Sequence, residues 1–150
     1  LIDRAKYPNL EYFCQSVEHP SVSANAVDLP VRRVTAVPLP GDKITHGEIG
    51  FTIILDEEMT AYNEMHNWLQ RIVNEGQVGP SARDTKFPTF ADITLMILSS
   101  HNNTTQKVRY RDCLPVSLGG INFTTTTGNV TYLTFTASFR FSTFEIIKQT

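Results

Sequence analysis

Little in this chain is equipped for chemistry. It has two cysteines and four histidines in 150 residues. His19, His46, His66 and His101 fall in different segments, and neither a His-x-x-x-His nor a Cys-x-x-Cys pair occurs, which removes the usual metal-ligand spacings. Cys14 and Cys113 lie about a hundred positions apart. They read as small buried hydrophobes rather than as a disulfide, and a reducing site of assembly fits them better. Gly-x-Ser-x-Gly, Walker-type and Gly-x-Gly-x-x-Gly loops are missing, and Gly119-Gly120 lacks the helix start that a phosphate cradle needs. No catalytic, cofactor-binding or metal-binding residue is therefore assigned. Neither sign of charge dominates: 13 Lys+Arg face 15 Asp+Glu, a net charge of −2, so there is no basic footprint for phosphate neutralisation. Long apolar runs are absent too. Ile53-Ile54-Leu55 is cut off by Asp56-Glu57-Glu58, far short of the roughly 18 to 20 residues of a membrane helix, so the chain reads as soluble. It starts at Leu1 without a methionine or a signal-peptide core, the pattern expected if an upstream segment is missing or processed.

What the chain does have is β-forming sequence. With 41% apolar residues at this length, a single domain over residues 1–150 with a real core is expected. Leu10 to Val17 reads as a first strand carrying Tyr12 and Phe13, closed by Pro20. Between about residues 18 and 43 the prolines Pro20, Pro30, Pro38 and Pro40 exclude a central strand, leaving an extended arm or edge hairpin that projects from the core. Its β-branched run Val31, Val34 and Val37, with Arg32 and Arg33 between, supplies candidate inter-subunit contacts.

Ile44 to Leu55 alternates as a second strand, with Ile49, Phe51, Ile53 and Leu55 on one face and a bulge or close approach at Gly47 and Gly50. Asp56 is placed to cap the helix that follows, and Glu57 and Glu58 lie where the helix dipole favours acids, which accounts for this acidic triplet without catalysis. Met59, Tyr62, Met65, Leu69 and Ile72 recur at helical spacing with Trp68 beside the stripe, and Gly76 to Pro80 ends the pattern. A polar loop covers residues 76–90, then Ile93 to Leu98 reads as a strand apolar on both faces, and His101-Asn102-Asn103 as a turn. Val108 to Pro115 and Val116 to Thr127 read as two more strands. Lys107, Arg109 and Arg111 alternate onto one face as a basic row, a further set of candidate inter-subunit contacts whose plainer explanation is a solvated strand face. The last strand buries Leu133, Phe135, Ala137, Phe139 and Phe141 and exposes Thr134, Thr136, Ser138, Arg140 and Ser142. Gly128-Asn129 predicts a hairpin that makes residues 121–142 an antiparallel pair. The fold class is mainly β, with one flanking α-helix.

Several segments in this order resemble the tail-tube fold of contractile-tailed bacteriophages, the group of tube subunits, tube initiators and baseplate caps related to inner-tube proteins of type VI secretion systems. They are Phe13-Cys14-Gln15-Ser16-Val17, Pro38-Leu39-Pro40-Gly41-Asp42-Lys43, Phe51-Thr52-Ile53-Ile54-Leu55-Asp56-Glu57-Glu58, Tyr62-Asn63-Glu64-Met65-His66-Asn67-Trp68-Leu69, Asp92-Ile93-Thr94-Leu95, Asp112-Cys113-Leu114-Pro115-Val116-Ser117 and Thr134-Phe135-Thr136-Ala137-Ser138-Phe139. The resemblance implies a β-sandwich or half-open barrel of antiparallel strands, assembled into hexameric rings. Such rings stack into a conduit through which DNA passes without specific binding, beside tube, baseplate and sheath partners in a virion assembled in the host cytoplasm. It also implies an acidic lumen. The polar face of the last strand carries no acid, so either the lining is neutral and rich in hydroxyls or that face is not luminal. The alternative function is a β-sandwich module that recognises a sugar or peptide.

Overall fold

The computed structural model describes residues 7–29, 37–75, 89–125 and 131–148. The first element is helical where a strand is expected: α1 (Pro8–Phe13) runs straight into β1 (Cys14–Glu18). Proline is tolerated in a first helical turn because its missing N–H would be unpaired there anyway. Tertiary partners then decide the conformation. Tyr7 stacks on Trp68 with ring centroids 4.3 Å apart, and Glu64 accepts hydrogen bonds from Asn9 Nδ2 (2.6 Å) and from the Leu10 N–H (3.3 Å).

Strands β2 (Val22–Leu29) and β3 (Val37–His46) pair antiparallel as a separate two-stranded sheet. The single strand expected from Ile44 to Leu55 is thus divided. Its beginning closes β3, and β4 (Ile49–Ile54) joins the main sheet. Gly47 stands at the division, its N–H donating to Ser21 O (2.8 Å). A Cβ there would come within 2.9 Å of Ser21 Oγ, so the close approach expected of this glycine is present.

Helix α2 (Thr60–Glu75) follows a turn in which Met59 takes φ 54° and the Asp56 carboxylate receives both the N–H and the hydroxyl of Thr60. Ala61, Met65 and Trp68 are fully buried, so Trp68 lies at the centre of the apolar stripe rather than beside it. Trp68 meets Phe139 and Tyr62 meets Phe135 on the sheet, at centroid distances of 5.5 and 5.4 Å.

Strand β5 (Ala91–Leu98) and strand β6 (Thr104–Leu118) are joined by the expected turn, with Asn102 at φ 60°. β6 runs on through Pro115, where the expected strand ends, and replaces the two strands read there. Proline is accommodated because the ladder to the next strand shifts register between Pro115 and Ser117. Residues 121–125 are not strand. β7 (Thr134–Arg140) therefore pairs with β4 and β6 instead of a strand beginning at residue 121, and Gly128-Asn129 lies outside the described residues. β7 alternates as expected, with Phe135, Ala137 and Phe139 buried. A further strand, β8 (Thr143–Lys148), continues along β6.

The main sheet has the order β1-β4-β7-β6-β5, with β8 also on β6. It curls at Asp112, which takes φ 53° opposite the break between β7 and β8. Asp92 Oδ1 accepts the Asp112 N–H (3.2 Å), Ser142 Oγ donates to Asp112 Oδ2 (2.9 Å), and the Ser142 N–H donates to Arg111 O (3.1 Å). The first half of β6 thereby serves β5 and β8 and the second half β7. The result is a curled antiparallel half-barrel. Its two end strands do not pair. Cys14 and Val17 of β1 face Ile93 and Leu95 of β5 across an apolar cavity of about 80 Å³.

Candidate assembly interface

Among the described residues the hairpin of β2 and β3 has no layer beneath it. Every side chain described from Ser21 to Asp28 is exposed, and so is every one from Pro38 to Thr45 except Gly41. Val22, Val27, Leu39 and Ile44 stand 51, 57, 42 and 65% exposed, unusual for residues chosen to fill a β-sheet. In register, Val22 opposes His46, Ala24 opposes Ile44 and Val27 opposes Leu39, with a shift between Ala24 and Ala26. Gly41 lies in that shift so close to β2 that a Cβ would fall 1.6 Å from the Asn25 carbonyl oxygen, which only glycine permits.

Among the described residues the root of the hairpin is what fixes it to the body. Pro20 is buried, His19 is hydrogen-bonded to the Tyr110 hydroxyl, and the His46 ring packs 5.3 and 5.6 Å from those of Phe141 and Phe144. Burial, with Cys113 adding to it, pushes the Tyr110 phenol up to about 12, so it stays neutral and available to His19. Cys113 is itself pushed up to about 12, chiefly by burial. Both cysteines are free thiols, Cys113 fully buried, in keeping with the reading as a small hydrophobe.

The polar face of the main sheet is a floor of hydroxyls. Ser16, Thr52 and Thr136 align across β1, β4 and β7, and Glu18, Gly50, Ser138 and Ser117 align across β1, β4, β7 and β6. Ser117 and Ser138 hydroxyls are 2.7 Å apart, and Ser138 Oγ donates to Glu48 Oε2 (2.8 Å). Arg140 Nε lies 3.7 Å from Glu48 Oε1. Two acids thus join a face that looked acid-free from β7 alone. They were missed because Glu18 and Glu48 come from β1 and from the turn before β4, and only knowledge of strand pairing places them beside Ser138.

Lys107, Arg109 and Arg111 do share one face of β6, as the alternation predicts. Arg111 Nη2 lies 2.8 Å from Glu145 Oε1, and Arg109 Nε lies 3.8 Å from Asp92 Oδ2. Two of the three cations are therefore met by acids of the neighbouring strands. Val37 opens β3 opposite Leu29; Val31, Arg32, Arg33 and Val34 lie outside the described residues. Among the described residues no group of three or more His, Cys, Asp or Glu could hold a metal ion.

The overall fold is shared with chains in structures of contractile injection machines. A chain in the cryo-EM structure of the anti-feeding prophage baseplate matches with TM-score 0.66 at 13% identity, over 90% of this chain and 80% of that one. Chains in the tube-terminating cap of the same prophage (TM-score 0.63, 12% identity, 91 and 80% covered) and in the sheath-tube complex of an extracellular contractile injection system (0.61, 12%, 89 and 80%) are similar. At such identities the likeness is one of fold. Sequence supplies the family: the phage tail tube protein model matches residues 2–147, and the chain belongs to that family. No curated protein matches it.

Proposed function

We propose that this chain is a structural virion protein, a single domain over residues 1–150 that forms or initiates the inner tail tube of a contractile phage tail. In this reading six copies close into a ring, rings stack into a conduit for DNA, and the β2–β3 hairpin is the arm that joins one copy to the next. Tube, baseplate and sheath proteins are its neighbours, in a virion assembled in the host cytoplasm. The observation that carries it is the hairpin: four large apolar side chains 42 to 65% exposed on two strands that, among the described residues, are fixed at their root. An isolated two-stranded sheet is marginal in water, so such a hairpin acquires its second layer from another molecule. A head-to-tail contact of that kind closes into a ring when the rotation per subunit permits.

The hydroxyl floor supports the conduit. Serines, threonines and the acids Glu18 and Glu48 carry no positive charge, and the exposed Arg140 beside them has Glu48 3.7 Å away to offset its own. A sugar- or peptide-binding module finds less support, because the more enclosed apolar cavity holds only about 80 Å³ and the larger hollows of about 380 to 410 Å³ lie open on the surface, whereas usual ligand pockets bury most of what they bind. Negative-stain imaging with size-exclusion light scattering of the purified chain tests the proposal. Rings or stacked tubes are expected, and a monomer at every concentration would overturn it.

A further inference from the structure

The two outer edges of the hairpin are not equivalent. In an antiparallel ladder, opposed residues alternate between pairs that exchange both backbone hydrogen bonds and pairs whose N–H and C=O groups point away from each other. Val27 opposes Leu39, flanked by Ala26 opposite Pro40 and Asp28 opposite Pro38. Proline has no N–H to exchange, so Val27 and Leu39 form the hydrogen-bonded pair, and the backbone groups of Ala26, Asp28, Pro38 and Pro40 point outward. The margin of β2 there presents donors and acceptors. That of β3 presents carbonyls alone.

A receiving edge is present on the body. Among the described residues the end strands β1 and β5 and the strand β8 each have one unpaired margin. β1 and β5 face one another across the cavity of about 80 Å³. β8 opens outward, with Ile146 and Ile147, on opposite faces of the strand, 60 and 44% exposed. Both faces of β8 therefore need covering, as do the apolar side chains of the hairpin. Charge agrees: Glu145 is held by Arg111, which leaves Lys148 as the cation of β8, against Asp28 on β2.

We propose, on the strength of the tube reading above, that the outer edge of β2 adds as a strand to the outer edge of β8 in a second copy of this chain. Pro38 and Pro40 then cap the composite sheet, so that addition happens once per hairpin and does not propagate sideways.

Hydrogen–deuterium exchange of the purified chain, dilute and assembled, tests this without a substitution. Amides of Ala26 and Asp28 and of the β8 segment are expected to slow by about ten-fold or more on assembly. As a second arm, Ala26→Pro deletes one outward donor while leaving the Val27–Leu39 pair, and should raise the concentration needed for assembly about ten-fold. Pro40→Ala restores a donor to β3 and should keep assembly while adding side-to-side aggregation. If the wild-type chain assembles with its β8 amides unprotected, the edge pairing is wrong although the tube reading stands. If it never assembles, the tube reading falls and takes this proposal with it.

Discussion

The main sheet and the hairpin are built from the same kinds of residue and end in opposite states. Ile49, Phe51 and Ile53 of β4 are 0 to 5% exposed, whereas Val22, Val27, Leu39 and Ile44 of the hairpin are 42 to 65% exposed. Strand propensity does not separate them. The difference is a second layer: α1 packs on β4 and α2 on β6 and β7, and nothing in the described chain covers β2 and β3. Burial per side chain is worth about 1.5–3 kcal/mol for residues of this size. The sheet obtains it from its own chain; in the proposed assembly the hairpin obtains it from another copy.

The largest effect should come from removing the uncovered part. Because the Ser21 carbonyl and the Gly47 N–H are hydrogen-bonded at 2.8 Å and Val22 pairs with His46, the two ends of the hairpin adjoin, and Ser23–Thr45 can be replaced by a short glycine linker that keeps the His46 packing. Assembly in sedimentation velocity should be abolished while the thermal transition of the body hardly moves. Normal rings from the shortened chain would refute the contrast.

The reverse experiment strips the covered part of its layer. Trp68→Ala removes a side chain that is 0% exposed, its stack on Tyr7 and its Nε1 hydrogen bond to Thr89 O (3.0 Å). It should cost about 3–5 kcal/mol in urea unfolding. A loss under about 1 kcal/mol would mean that the sheet does not depend on α2 for its cover.

Local rules reached as far as local forces decide. The alternation of β7, the apolar stripe of α2 from Tyr62 onward, the Asp56 cap, the His101-Asn102-Asn103 turn and the proline-interrupted projection can be read from the residues, whereas Glu57, Glu58 and Met59 precede the helix instead of opening it. Four features could not be read in this way. α1 replaced a strand because Tyr7 and Leu10 found Trp68 and Glu64, which are remote in sequence. β6 passed through Pro115 because a register shift spared the missing N–H. β8 escaped notice because its acid and lysine broke the apolar pattern, and its exposure follows from standing at a margin. In the candidate interface the exposed apolar side chains of β2 were legible only once the absence of a covering layer was known, and the acids beside Ser138 only once the strands were paired.

A smaller effect is expected where α2 begins. Burial raises the Asp56 carboxyl, but the hydrogen bonds from the Thr60 hydroxyl and from backbone N–H groups, those of Thr60 and Ala61 among them, outweigh it and leave its pKa lowered. A lowered folded value means that the cap contributes fully above the ordinary carboxylate pKa of about 3.9 and is lost as pH falls through the folded value. Asp56→Ala should therefore cost about 1 kcal/mol near neutral pH. The gap to the wild-type chain should close in acid below about pH 4, read as urea midpoints across pH. A gap that stayed constant into acid would exclude the carboxylate as the cap.

The smallest effect belongs to the charged face of β6, and it bears directly on whether the body, as proposed for the hairpin, meets a neighbour. Arg111 and Glu145 form an ion pair at 2.8 Å with both side chains about half exposed (47 and 46%), where water and salt screen the attraction. A double-mutant cycle with Arg111→Ala and Glu145→Ala should give a coupling of about 0.2–1 kcal/mol in folding, falling as salt is added. Assembly is the more discriminating readout. If Arg111→Ala leaves it unchanged, the row is a solvated face and completion is confined to the margins and the hairpin. If assembly weakens by more than the folding loss explains, Arg111 contacts another subunit and the body has a second docking face, which the hairpin contrast would then have to include.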